Sequence, residues 1–114
     1  MDNDLDMLSF GIIANAGDSR SFAFQALEAA KEGRFDEAER LMKMSDEAAD
    51  KAHKAQTDLL FAEMNGDHKD VNVLLVHSQD HLMTAMLANQ LIKEMIDLYR
   101  RQSPLPSETQ EEKE

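Results

Sequence analysis

Apolar residues in this chain recur at steps of three and four, and no stretch alternates apolar with polar over a strand's length. That period is the strongest constraint on the fold, because only a helix returns every third or fourth side chain to one face. It predicts an all-α protein of three helices. The first runs from about Leu5 to Lys31 and ends at Gly33. Gly11 and Ala16-Gly17-Asp18 mark the places where it would break, since glycine weakens a helix and Asp18 or Ser19 would cap a restart. The second, from about Phe35 to Met64, carries Ala38, Leu41, Met42, Ser45, Ala48, Ala49, Ala52, Ala55, Leu59 and Leu60 at helical spacing, and Asn65-Gly66-Asp67 closes it. The third, from about Asp70 to Arg101, is the most apolar. Ser103-Pro104 stops it, because αR is disfavoured before proline and proline has no N–H to donate. Short turns between such helices give an antiparallel up-down-up bundle.

The third helix asks for more neighbours than two. Val73, Val76, Asp80, Met83, Leu87, Gln90 and Glu94 follow the alternating three-four step of a coiled-coil seam. Leu74, Leu75, Ser78, Leu82, Ala85, Met86, Ile92, Ile96 and Tyr99 cover other sides of the same helix. A helix apolar on several sides needs partners beyond its own short bundle, so self-association through this helix is expected. The plainer alternative is one wide core stripe.

A chain of 114 residues makes one domain, with a core that is marginal on its own. Only 5% of residues are aromatic, so Leu, Met, Ala and Val must fill that core. Twenty-three acids against twelve bases give a net charge of −11. That balance opposes binding to nucleic acid, where affinity comes from Lys and Arg displacing counterions, and to anionic membrane surfaces. No apolar run approaches the roughly 20 residues that span a bilayer, so no membrane insertion is expected. The first six residues are acidic where a secretory signal needs a basic start, which points to the cytoplasm. The absence of cysteine excludes disulfides and thiolate chemistry. Much of the charge lies at the ends, since residues 7–102 hold 16 acids and 11 bases. The expected organisation is a three-helix domain over residues 1–102 and a solvated acidic tail over 103–114.

Reactive side chains concentrate in Val76-His77-Ser78-Gln79-Asp80-His81-Leu82-Met83. His53 and His68 lie in polar surroundings that suit solvated surface residues. His77 and His81 are four apart and share a helix face, and Asp80 adjoins it. Three readings compete. The histidines are satisfied structural residues; or His77, Asp80 and His81 bind a metal such as zinc, although the Glu of a helical metalloprotease motif is missing; or His77 is a nucleophile. Neutral imidazole attacks phosphorus or carbonyl centres near neutral pH, and Gln79, Asp80 or His81 would fix its tautomer. The four glycines are isolated, so there is no glycine-rich loop for nucleotide phosphates, and any phosphoryl group must arrive already activated on another protein. Asp80 is a misfit in an apolar seam. A parallel symmetric assembly would gather its copies, which must take up protons or share a hard divalent cation. Alternatively Asp80 turns outward and orients a histidine. A third possibility for the whole chain is a helical interaction module, since Gly33-Arg34-Phe35 followed by Ala38 is like the turn of a tetratricopeptide hairpin, of which only one unit is visible.

The run from Leu74 to Leu87 resembles the signature of the lactose/cellobiose (N,N′-diacetylchitobiose) class of enzyme IIA in the bacterial phosphoenolpyruvate:sugar phosphotransferase system. The likeness extends through Gly11 to Ser21, Ala26 to Phe35 and Ala52-His53-Lys54-Ala55-Gln56-Thr57, and covers roughly Leu8 to Arg101. The resemblance implies a homotrimer of three-helix subunits whose third helices form a parallel coiled coil, in agreement with the seam. It implies that His77 accepts a phosphoryl group on Nε2 from HPr and passes it to a cysteine of enzyme IIB, with the membrane enzyme IIC delivering the sugar. Asp80 would hold a Mg2+ ion shared by three subunits, and Gln79 and His81 would support the phosphoryl group or orient His77. Met86 to Glu94 looks more like the cellobiose/chitobiose branch than the lactose branch. Ser78 stands where the family often has alanine.

Overall fold

The computed structural model describes residues 3–66 and 71–103. His68, Asp67, Asp70 and the tail from Pro104 onward lie outside the described residues. Three helices follow one another, α1 (Asn3–Lys31), α2 (Phe35–Met64) and α3 (Val73–Gln102), and no strand occurs among the described residues.

The first turn has a specific stereochemical origin. Gly33 adopts φ +82°, a conformation nearly reserved for glycine. It lets Gly33 N–H donate to Ala30 O at 3.0 Å and Arg34 N–H donate to Ala29 O at 2.9 Å, the paired bonds of a Schellman stop. At the far end Asn72 takes an extended conformation, and its side-chain oxygen accepts from Leu75 N–H at 2.7 Å. This cap starts α3 at Val73, three residues later than the hydropathy pattern suggests. Ser103, which precedes Pro104 in the sequence, is extended and ends α3.

α1 does not break at Gly11 or Gly17; it is continuous. Each interior glycine costs a helix about 1 kcal/mol. Leu5, Ser9, Ile12, Ala16, Ser19, Ala23, Ala26 and Ala30 form an unbroken buried stripe through both sites, and burying that stripe against two helices outweighs the glycine terms.

Each helix buries its residues at alternating steps of three and four, the period of left-handed helix packing. On α2 these are Ala38, Leu41, Ser45, Ala48 and Ala52, with Met42 alongside. On α3 they are Leu75, Ser78, Leu82, Ala85, Asn89, Ile92 and Ile96. A polar layer divides the core. Ser45 Oγ donates to Ser19 O at 2.7 Å and lies 3.1 Å from Ser19 Oγ; Asn89 Nδ2 donates to Ser45 Oγ at 2.8 Å and to Asp46 Oδ1 at 2.9 Å. One apolar cluster, with Ala26, Ala30, Leu41, Ile92 and Ile96, packs on the side of the α1–α2 turn. Arg100 closes that end by standing 4.9 Å over the Phe35 ring. The other cluster, Ile12, Ala52 and Leu82 with Leu8, Ala55 and Met86, supports the end that carries His77.

Candidate functional site

On α3 the buried residues and the predicted seam occupy opposite faces. Assigning Val73, Asp80, Leu87 and Glu94 to heptad position a and Val76, Met83 and Gln90 to d puts every buried residue of α3 at c or f. All seven seam positions are exposed in the single chain. Val73 is 84% exposed, Val76 48%, Met83 57% and Leu87 55%, values that no buried core stripe shows. The wide-core-stripe alternative is therefore set aside. α3 has two apolar faces, and its own bundle covers one.

His77 occupies position e, beside the uncovered seam, and its side chain is exposed. His81, at position b, is half-buried and meets it edge to face, with ring centroids 4.5 Å apart and planes at 88°. Neither imidazole has a hydrogen-bond partner among the described residues, so the ring nitrogens of His77 are open to an incoming group. Asp80 points to the seam, and its carboxylate is likewise without an ion pair or hydrogen bond among the described residues. It orients neither histidine. The Thr84 hydroxyl donates at 2.8 Å to the Asp80 backbone carbonyl and not to its carboxylate. No group of three or more His, Asp or Glu side chains able to hold a metal forms among the described residues, so His77, Asp80 and His81 do not converge on an ion within one chain. Two are on one flank of the seam and the third is in it.

Gln79 goes elsewhere. It lies two residues beyond His77, more than half a turn round the helix, and turns toward α2, where Gln56 Nε2 donates to its Oε1. Its Nε2 lies 3.4 Å from Ser78 Oγ. The buried Ser78 hydroxyl donates to Leu75 O at 2.7 Å and does not reach His77. His53 is exposed, as its polar neighbours suggest. Gln56 and Asn72 are the residues at this end whose parts emerge from the structure. The Asn72 signal, a capping residue just before an apolar helical run, was there to be read; the Gln56 partnership depends on how α2 and α3 are set side by side.

Residues 7–100, nearly the whole described bundle, match the model of the lactose/cellobiose-specific IIA subunit of the phosphotransferase system. The chain belongs to this enzyme IIA family. It is 48% identical over 97 residues to the lactose-specific EIIA component of Streptococcus mutans, covering 85% of this chain and 93% of the relative. Among solved structures, the cellobiose-specific enzyme IIA from Bacillus anthracis superposes with a TM-score of 0.85 at 42% identity, over 89% of this chain and 93% of that one. The IIA(chitobiose) in its complex with HPr, from the N,N′-diacetylchitobiose branch of the Escherichia coli phosphotransferase system, superposes with a TM-score of 0.74 at 41% identity, over 85% and 94% of the two chains. As in these enzyme IIA structures, the fold is a three-helix bundle. No helix among the described residues is long and apolar enough to cross a membrane.

Proposed function

We infer that this enzyme IIA is a cytoplasmic phosphocarrier that takes a phosphoryl group from phospho-HPr on His77 Nε2 and hands it to a cysteine of its enzyme IIB. The membrane enzyme IIC delivers the sugar that is then phosphorylated, of the cellobiose/chitobiose type or lactose, as it enters. The observation that carries the reading is the exposed imidazole of His77, without a hydrogen-bond partner among the described residues, beside an uncovered apolar seam and inside the stretch that matches the family. Membership of the family and the HPr complex of the E. coli relative support HPr as the donor.

The exposed seam favours a homotrimer of parallel α3 helices. In such an assembly position e of one helix flanks position g of its neighbour. His77 therefore faces the neighbouring subunit's Asn72 and Gln79, and the phosphoryl site is a cleft between two subunits. With its carbonyl turned to α2, Gln79 still has an amide N–H to offer the phosphoryl group of the next subunit, and His81 braces the His77 ring from its own helix. Burying Val73, Val76, Met83 and Leu87 at the axis also supplies the apolar area that an alanine-rich core lacks.

In the first step a His77 lone pair forms a P–N bond as the P–N bond to the HPr histidine breaks. In the second a cysteine thiolate forms a P–S bond as the His77 P–N bond breaks, returning the electron pair to the imidazole. Both steps need chiefly docking and in-line alignment, because the phosphoramidate is already activated. Met and Leu side chains around the site adapt to both partners.

The donor chemistry at the axis fits magnesium. Asp80 is a seam residue whose carboxylate has no partner among the described residues, and three symmetry-related copies would offer hard oxygen ligands to one Mg2+. The ion supplies positive charge that relieves repulsion among those carboxylates. The residues beyond 102, an acidic tail, take no part in the chemistry proposed here. The test of onward transfer is to isolate the phosphorylated protein free of HPr and mix it with the cognate enzyme IIB. Loss of the phosphoryl group to wild-type enzyme IIB, but not to its cysteine-to-serine variant, is the expected result. Transfer to neither contradicts the reading.

A further inference from the structure

Phosphoryl transfer through His77 leaves Gln56 without a task, yet Gln56 is locked into a directed row of donors. The row starts from a backbone carbonyl. The Ser78 hydroxyl is fully buried and spends its one proton on Leu75 O at 2.7 Å. Its oxygen can then only accept. The end of the Gln79 amide that faces Ser78 Oγ at 3.4 Å is therefore the NH2 group. The Gln79 carbonyl oxygen is left turned to α2, and Gln56 must meet it with its own NH2, as it does. Gln56 and Gln79, both half-buried, line a cleft of about 270 Å³ between the adjoining ends of α2 and α3.

The Ser78 contact is long for a hydrogen bond, and it engages only one of the two N–H bonds on Gln79 Nε2. The other has no partner among the described residues. A phosphoryl group carries only acceptor oxygens, so the end of Gln79 it meets decides whether the contact attracts or repels.

We propose that Gln56 is a positioning residue that, with Ser78, holds the Gln79 amide so that its NH2 and not its carbonyl faces the phosphoryl oxygens on the neighbouring subunit's His77. This rests on the carrier reading above. It predicts a graded response. In Gln56→Met the side-chain length is kept but the donor is lost, so Gln79 is free to take either orientation. In Gln56→Glu the new carboxylate accepts from Gln79, turning its NH2 to α2 and its carbonyl to the phosphoryl group.

The experiment measures single-turnover transfer from phospho-HPr to wild type, Gln56→Met and Gln56→Glu, as a function of HPr concentration, with circular dichroism confirming the helices. The maximal rate should fall about tenfold in Gln56→Met and about a hundredfold in Gln56→Glu, the size of effect seen when a donor aimed at developing charge is lost or reversed. The HPr concentration for half-maximal rate should hold within about twofold, since no docking surface changes. In parallel, NMR of the isotope-labelled, unphosphorylated protein should show the Gln79 side-chain NH2 signals shifting in Gln56→Glu and in Ser78→Ala. Equal rates in all three proteins, or equal losses in Met and Glu, overturn the inference while leaving the carrier reading standing. Should Gln56→Glu not fold, a wild-type rate in Gln56→Met, or Gln79 NH2 signals unmoved in Ser78→Ala, overturns it. A wild type that accepts no phosphoryl group overturns the carrier reading, and this inference with it.

Discussion

Two buried serines differ in one respect that should give the same substitution opposite effects. Ser9 and Ser45 are both fully buried on α1 and α2. Ser45 Oγ donates to Ser19 O at 2.7 Å, accepts from Asn89 Nδ2 at 2.8 Å and lies 3.1 Å from Ser19 Oγ, whereas Ser9 Oγ has no partner among the described residues. Replacing Ser45 by Ala removes two well-formed bonds worth about 1 kcal/mol each and strands the buried Ser19 hydroxyl. Alanine returns about 0.5 kcal/mol in helix propensity. Asn89 still has Asp46 at 2.9 Å, which limits the damage. The net loss should be about 1–2 kcal/mol. Replacing Ser9 by Ala removes an unsatisfied hydroxyl whose desolvation costs about 1 kcal/mol, and the same propensity gain applies, so the protein should gain about 1 kcal/mol. Guanidinium unfolding followed by far-UV circular dichroism reads both, at one fixed protein concentration because the proposed assembly would couple to stability. The midpoints should move in opposite directions with unchanged slopes. Destabilisation by both substitutions, in similar amounts, would refute the hydrogen-bond argument and point to helix packing alone.

Asn72→Ala should cost about 1 kcal/mol by removing the cap of α3, and hydrogen exchange should rise in the first turn of α3 and leave its second half unchanged. In the proposed trimer, where Asp80 carboxylates would cluster, Asp80→Leu replaces them with an apolar seam residue and should favour assembly; a variant that sediments as monomers at concentrations where wild type is trimeric would contradict it. The Glu37 carboxyl is held below its usual range by its hydrogen bond from Arg40, and the Arg40 guanidinium is raised in turn. The lowered carboxyl adds stability above its unfolded pKa that is lost as pH falls through its folded value. Arg40→Gln should thus raise the Glu37 pKa in an NMR titration, and any stability difference between the two proteins should vanish in acid.

The parts of this molecule that follow from periodicity were legible in the sequence. The limits of α2, the three-helix order and the second apolar face of α3 all depend on which side chains share a face, and helical geometry settles that locally. The continuity of α1 was not, because whether Gly11 and Gly17 break a helix depends on burial against two others. Within the reactive stretch, the sharing of a face by His77 and His81 was legible from their spacing. The retreat of Gln79 to α2 was not, since its partner, Gln56, lies 23 residues away in sequence and meets it only across the α2–α3 cleft. The sequence likewise placed a hydroxyl beside His77 at Ser78, but position f turns it into the bundle, where it serves a backbone carbonyl.

Whether His77 carries a phosphoryl group can be read from intact mass. Wild type and His77→Gln would be incubated with phosphoenolpyruvate, enzyme I and HPr, then measured at neutral and at acidic pH. Wild type should gain one phosphoryl group per chain that disappears in acid, as a phosphoramidate must, and His77→Gln should gain none. An unmodified wild type, or an addition that survives in the His77→Gln variant, would contradict the carrier reading.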